Sequence, residues 1–171
     1  MSRIEAVIFD WAGTTVDYGC FAPVQAFKDA FNAYGIDPTL DQIREPMGML
    51  KIDHIKRMLE MPTINEAFKA KYNRNYNKKD IDKIYESFEA SLMAGITKHT
   101  DIKPYVIETV NKLKEMKIKI GSTTGYTDMM MEPVLKRAKE QGYCPDCWYS
   151  PDATNHLGRP YPYMILKIFK L

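Results

Sequence analysis

The chain has 171 residues, of which 45% are hydrophobic, and its formal net charge is +2. This length suits one large domain or one domain with an insert, and the hydrophobic content is enough for an ordinary core. The small charge excludes a global electrostatic field for nucleic acid or anionic membranes, and no apolar run approaches the roughly 20 residues that span a bilayer. Because Glu5 interrupts the apolar run that a signal peptide would need, we expect no targeting segment and a cytoplasmic location.

The chain has three cysteines, Cys20, Cys144 and Cys147, and a small odd number is typical of a reduced protein without disulfides. Cys144 and Cys147 have C-x-x-C spacing. A structural zinc ion would need two further ligands, and only His156 is close in sequence. A thioredoxin-like motif would follow a strand at the start of a helix, whereas this one follows Gly142 in a predicted loop. We therefore interpret the pair as two loop thiols.

The first strand is predicted at the apolar run 6–9, which ends in Asp10 and suits a strand buried on both faces. Gly13 and two threonines then predict a turn. Hydrophobic spacing, caps and turn residues predict the helices that follow: one from Pro23 to just before Gly35, one at the capping box of Thr39 and Gln42, one with Ile52, Ile55 and Leu59 on its apolar face, and one capped by Asp80 that continues to Ile96.

After residue 100 the pattern changes to alternating helices and strands. We expect a helix that opens at Pro104, a strand with Ile118 and Ile120, a polar loop 121–125, and a helix capped by Thr127 with a kink or late start at Pro133. A short strand at 147–150 and a last helix at 163–169 complete the chain. Alternation of this kind indicates an α/β fold with a parallel, three-layer sheet. The domains are then a core of residues 1–19 plus 99–171 and an all-helical cap of residues 20–98.

Two predicted strands end in polar residues, and ligands of open α/β sheets bind beyond the carboxyl ends of strands. Asp10 ends the first strand, and Thr124 follows the second. A carboxylate can attack phosphorus, while hydroxyl groups and free backbone N–H groups can hold phosphoryl oxygens. The alternative is that both residues only form turns and caps, as is common at strand ends.

An apolar strand followed by Asp10-Trp11-Ala12-Gly13-Thr14 resembles the first motif of the haloacid-dehalogenase-like superfamily. Thr124 resembles its second motif and Arg159 the basic residue of its third. Three segments, 8–23, 46–54 and 121–127, are more narrowly similar to the phosphonoacetaldehyde hydrolase family. The resemblance covers the whole chain and implies a Rossmann-like core with an inserted helical cap.

The resemblance also implies a chemistry. Phosphatases of the superfamily have a second Asp as general acid where this chain has Ala12, so an oxygen leaving group is disfavoured. Lys51 would form an imine with the substrate aldehyde and so stabilise the carbon that leaves phosphorus. Lys51 falls at the edge of an apolar helix stripe, where we expect it to be half-buried, and His54 lies on the same side. The alternative for both is an extended lysine and a solvated histidine on a surface helix.

The remaining site residues follow from the same resemblance. Cys20, Met47, Gly48 and Tyr126 would line the cleft between cap and core, Thr124, Arg159 and His54 would bind the small phosphonate substrate, and Mg²⁺ would bind Asp10, the carbonyl of Ala12 and a further Asp. Family members continue into a Gly-Asp-x-x-x-Asp motif that this sequence does not contain. We therefore expect a truncated chain with an incomplete Mg²⁺ site, low or no hydrolase activity, and a homodimer or higher homo-oligomer formed through the first strand.

Other functions stay open at this point. The chain could be a non-catalytic remnant that binds phosphonate or phosphate, or another phosphotransferase of the superfamily. The basic, tyrosine-containing stretch Lys69–Lys79 superficially suits single-stranded nucleic acid, but we interpret it as a solvated loop.

Overall fold

The computed structural model describes residues 4–17 and 19–169 and divides the chain into two compact units. The first consists of residues 1–21 and 96–171 and the second of Ala22–Gly95. The predicted cap, 20–98, has bounds within three residues of the second unit, and its role as a cap stays a prediction. Among the described residues, no helix has both the length and the apolar character needed to cross a membrane.

The described residues form three strands and eight α-helices. The strands are β1 (Ala6–Asp10), β2 (Lys119–Thr123) and β3 (Cys147–Tyr149). The helices are α1 (Phe21–Ala33), α2 (Leu40–Arg44), α3 (Lys51–Glu60), α4 (Pro62–Tyr72), α5 (Lys78–Gly95), α6 (Val106–Glu115), α7 (Asp128–Glu140) and α8 (Tyr163–Ile168). Short 3₁₀ helices cover Ile96–His99 and Pro151–Thr154.

The strands form one parallel sheet in the order β1-β2-β3, which confirms the α/β prediction. The register pairs Asp10 with Thr123 and Thr123 with Tyr149. The carboxyl ends of all three strands therefore lie side by side, where such sheets bind ligands. All five residues of β1 are half-exposed, so the prediction of a strand buried on both faces is wrong. The reason is that β1 lies at the edge of the described sheet and pairs there with β2 alone.

Two predicted helix starts in the first unit are wrong. The helix expected from Pro104 begins at Val106, because Tyr105 takes a left-handed conformation with φ of 67°. Of the kink or late start predicted at Pro133, the late start does not occur, since α7 begins at Asp128 and continues through the proline. Thr127 accepts a hydrogen bond from the backbone N–H of Met130 and caps α7 as predicted.

The second unit is entirely helical, and aromatic side chains fill its core. Phe27, Phe31, Phe68 and Phe88 have no exposed surface. The first helix begins at Phe21, two residues before the predicted Pro23. The capping box of Thr39 and Gln42 is present as predicted.

The basic stretch Lys69–Lys79 is only partly a loop, contrary to our interpretation. Its first residues end α4, and its last two begin α5. Asp80 lies inside α5 and does not cap it. Instead, Asn77 accepts the N–H group of Lys79, and Asp80 accepts the N–H group of Asn77. A capping pair of this kind is hard to distinguish from a single cap in sequence, because Asn and Asp both favour helix starts.

Candidate active site

Asp10 ends β1 and begins a tight backbone turn. The carbonyl of Trp11 accepts the N–H groups of Thr14, Thr15 and Val16, at 2.9–3.1 Å. The hydroxyl group of Thr15 donates to the carbonyl of Asp10 at 3.2 Å. The turn is therefore a compact, hydrogen-bonded support that fixes the backbone beside the Asp10 carboxylate.

Gly13 is required by two features of this turn. Its φ is +84°, a conformation that side-chain-bearing residues rarely adopt, and a methyl group on it would overlap the sulfur of Cys20. The Cys20 thiol donates to the carbonyl of Ala12 at 3.2 Å. Cys20 and Ala12, both predicted as site residues, are thus in direct contact.

Arg159 reaches the carboxylate of Asp10 although 149 positions separate them in the sequence. One guanidinium nitrogen of Arg159 lies 2.7 Å from Oδ1 of Asp10, and both side chains are about one-third exposed. The structure thereby brings together the acidic residue of the first motif and the basic residue of the third. A guanidinium beside an open carboxylate can bind phosphoryl oxygens in a bidentate manner.

Thr124 and Tyr126 lie on the loop between β2 and α7 and are buried. The hydroxyl group of Thr124 accepts the N–H of Tyr126 at 3.0 Å. Burial, together with the charges of Asp17, Cys20 and Asp10, raises the pKa of the Tyr126 hydroxyl well above its ordinary value. Tyr126 is therefore a neutral hydroxyl group in the electrostatic field of Asp17 and Asp10.

Lys51 and His54 belong to the second unit, where they share the buried face of α3. Lys51 is 3% exposed and His54 is fully buried, so the expectation of a half-buried lysine understates its burial. The Lys51 amine lies 5.8 Å from the ring centroid of Phe27, and the His54 ring stacks on the same phenylalanine at 3.8 Å. The alternative of a solvated pair on a surface helix is therefore wrong.

His54 is a neutral imidazole. Burial, and secondarily the charge of Lys51, lower its pKa to about 3, and the nearby backbone of Ile43 offsets this only in part. Among the described residues, neither ring nitrogen has a partner in hydrogen-bond geometry. Two unsatisfied polar atoms in a buried ring are costly, so His54 is a candidate contact for a bound molecule.

Met47 and Gly48 lie in the turn that precedes α3 and are half-exposed. Gly48 has a φ of +97°, which gives the chain a sharp turn before Lys51. Their predicted role in a substrate cleft stays a prediction.

The predicted Mg²⁺ site has two oxygen donors in the first unit, the carboxylate of Asp10 and the carbonyl of Ala12. Oxygen ligands of this kind suit a hard cation. In the residues that the structure describes, no group of three or more His, Cys, Asp or Glu side chains is placed to hold a metal ion. The ligand type therefore suits Mg²⁺, but among the described residues the predicted site has only these two oxygen donors.

Two residues beside this turn, Lys103 and Asp17, were not predicted from the sequence. The Lys103 amine donates to the carbonyl of Gly13 at 2.5 Å, and the Asp17 carboxylate accepts the N–H of Phe21 at the start of α1. Asp17 is 4% exposed and could have been found as a charged residue within the quoted motif. Lys103 gave no sequence signal, because a lysine before a proline is an ordinary loop residue.

Comparison with known proteins agrees with this geometry. A family profile described as haloacid dehalogenase-like hydrolase matches residues 4–171. Together with the parallel sheet and the motif residues at its carboxyl edge, this match shows that the chain belongs to the haloacid dehalogenase-like hydrolases.

Within that family, the chain is similar to proteins named phosphonoacetaldehyde hydrolase. It is 54% identical to the one from Parabacteroides distasonis over 98% of this chain and 63% of that protein, and 50% identical to the one from Lysinibacillus sphaericus over 96% of this chain and 61% of that protein. A crystal structure of a phosphonoacetaldehyde hydrolase-like protein from Oleispira antarctica superimposes with a TM-score of 0.91 at 40% identity, over 98% of this chain and 60% of that one. The chain thus spans about three-fifths of the length of these relatives.

Proposed function

We propose that this chain carries the imine-forming and phosphoryl-accepting groups of a phosphonoacetaldehyde hydrolase. The reaction cleaves the C–P bond of phosphonoacetaldehyde to give acetaldehyde and phosphate. The observation that carries the proposal is the burial of Lys51 beside the neutral ring of His54. The names of the similar proteins support the choice of substrate.

Lys51 is the proposed amine. Burial disfavours the charge of an amine, and only a neutral amine can attack an aldehyde. Loss of water from the adduct gives an iminium ion on the carbon next to the C–P carbon. That cation accepts the electron pair of the breaking C–P bond, and the product is an enamine.

Asp10 is the proposed nucleophile toward phosphorus. One carboxylate oxygen attacks the phosphoryl group while the enamine leaves, and water later hydrolyses the aspartyl phosphate. Arg159, 2.7 Å from Oδ1, would orient the phosphoryl oxygens and offset their charge.

Ala12 supports carbon as the leaving group. A general acid at this position would protonate a departing oxygen, and a methyl side chain cannot. His54, with its two unpartnered nitrogens, is the proposed group that moves protons during formation and hydrolysis of the imine. Asp10 and the Ala12 carbonyl would hold Mg²⁺, which neutralises phosphoryl charge when bound.

The test is reductive trapping. The full chain is incubated with phosphonoacetaldehyde, reduced with borohydride, and digested for mass spectrometry, while phosphate release is measured in parallel. We expect an adduct on Lys51 that is absent from Lys51→Arg. The matched control is Lys56→Arg on the same helix, because Lys56 is exposed and paired with Asp53, so this variant should keep the adduct.

The structure of the adduct decides between the alternatives. An N-ethyl group on Lys51 with released phosphate means that the C–P bond was cleaved. A phosphonoethyl group without phosphate means that the chain binds the substrate as a non-catalytic remnant. Absence of any adduct on Lys51 would refute the assignment of this residue.

A further inference from the structure

Ser150, directly after β3, is the centre of a small polar cluster in the first unit. It has no exposed surface. Its hydroxyl group donates to Oδ1 of Asp128 at 2.5 Å and accepts the N–H group of Asp152 at 3.1 Å. The backbone N–H of Asp128 in turn donates to Oδ2 of Asp152 at 2.8 Å. These three residues are called the Ser150 cluster below.

The cluster joins two loops that the sequence does not connect. Asp128 begins α7, directly after the loop that carries Thr124 and Tyr126. Asp152 lies in the 3₁₀ helix that begins the loop to Arg159. Both carboxylates lie at the N-terminus of the 13-residue helix α7.

The segment between the cluster and Arg159 is itself held by hydrogen bonds. The Thr154 hydroxyl group lies 3.0 Å from the carbonyls of both Pro151 and Leu157. The N–H group of Leu157 donates a hydrogen bond to the Thr154 carbonyl at 3.0 Å. The segment from Ser150 to Leu157 is therefore internally hydrogen-bonded, and it ends two residues before Arg159.

We infer that the Ser150 cluster positions Arg159 against Asp10. The inference rests on the proposed function, in which these two residues handle the phosphoryl group. The three cluster residues are positioning residues: they hold the loop whose guanidinium contacts the nucleophile. An arginine needs such support, because its long side chain has many rotamers and geometry must be fixed closely for phosphoryl transfer.

The experiment measures the order of the Arg159 guanidinium in the full chain, by the rate of rotation about its Nε–Cζ bond in NMR spectra. Ser150→Ala and Asp128→Ala remove the hydrogen bond between the two residues, and each should accelerate rotation about tenfold or more. Asp128→Asn keeps an oxygen acceptor and should restore slow rotation. Glu132→Ala, which removes an exposed carboxylate from the same helix, should leave the rate unchanged.

A second measurement separates positioning from general stability. Binding of inorganic phosphate is titrated in the wild type, Asp128→Ala, Arg159→Ala and the double variant. If Asp128 acts through Arg159, its replacement weakens phosphate binding about tenfold in the wild type and has no effect when Arg159 is absent. Additive losses would mean that Asp128 acts independently of Arg159 and would overturn the inference.

The two measurements test different hypotheses: guanidinium rotation tests the positioning role, and phosphate binding tests the proposed function. Unchanged guanidinium rotation in both Ser150→Ala and Asp128→Ala overturns the inference, whether or not phosphate binds. Faster rotation in a protein that shows no phosphate binding at all would refute the proposed function and leave the positioning role standing.

Discussion

His54 illustrates how a single buried ring can link chemistry to stability. The His54 ring stacks on the ring of Phe27. Phe27 in turn stacks on Phe88, with 4.2 Å between the ring centroids. A neutral imidazole is compatible with this apolar stack, whereas a protonated one would place an unpaired charge in it. The apolar environment of His54 therefore resists its protonation.

This resistance predicts a pH dependence of stability. The folded-state pKa of His54 is about 3, below the ordinary value of 6.5. Between these values the unfolded chain binds a proton that the folded chain does not, so stability is unaffected above pH 6.5 and falls as the pH drops below it. From pH 7 to pH 5 this residue should cost the folded state about 2 kcal/mol.

The measurement is urea unfolding of the wild type and His54→Phe at both pH values. Phenylalanine keeps the stacked ring and cannot be protonated, so the variant should lose about 2 kcal/mol less stability than the wild type between pH 7 and pH 5. Equal losses in the two proteins would show that His54 is protonated in the folded state.

At the scale of elements, hydrophobic periodicity and caps were sufficient for most of the fold. Ile55 and Leu59, two of the three residues predicted on the apolar face of α3, are buried, and the strand–turn pattern around Asp10 is correct. Errors occurred where local signals compete. Thus α4 was missed because its buried residues are few, Ile64 and Phe68, and the lysines that end it read as a loop.

The candidate site was predictable only in part, for a related reason. Local motifs place Asp10 and Thr124 at strand ends, and the parallel register then brings the ends together. Two other contacts, Arg159 with Asp10 and the Lys103 amine with the Gly13 carbonyl, depend on the conformation of the loops that carry Arg159 and Lys103. Loop conformation has no periodic pattern in the sequence, because each loop is fixed by individual hydrogen bonds.

The connection between α4 and α5 yields a second prediction. Arg74 makes two hydrogen bonds to the carboxylate of Asp80, at 2.7 and 2.8 Å, and lies over the rings of Phe68 and Tyr72. The guanidinium holds the pKa of Asp80 below its usual value. The Asp80 side chain is 8% exposed and also accepts the N–H of Asn77, so it joins both helices.

We expect Asp80→Ala to lower the free energy of unfolding by about 1–2 kcal/mol at pH 7, because it removes the acceptor of the Asn77 N–H group and one partner of a partly exposed ion pair. Asp80→Asn should lose less, because it keeps an oxygen for Asn77. Since the carboxyl pKa is depressed, the stabilisation is present above pH 3.8 and disappears as the pH falls further. Urea unfolding checks this, with Glu86→Gln, an exposed residue of the same helix, as the control expected to change little.

For the molecule as a whole, the decisive feature is the edge of the sheet. In the described residues β1 is the edge strand, its five residues are half-exposed, and Ile4 beside it is 66% exposed. An apolar edge strand has backbone N–H and C=O groups free for pairing with another chain, and natural proteins usually protect such edges with charges, prolines or bulges. Ala6–Phe9 contains none of these.

We therefore predict that the chain self-associates through β1. Light scattering coupled to size-exclusion chromatography should give a mass of at least twice 19.8 kDa, decreasing on dilution. Ile4→Lys puts a charge at the edge without touching a buried side chain, and it should shift the equilibrium toward the monomer. Leu40→Lys, a similarly exposed apolar residue of the other unit, should not. A concentration-independent mass of 19.8 kDa for the wild type would exclude association through the strand, and equal effects of the two lysines would place the contact elsewhere.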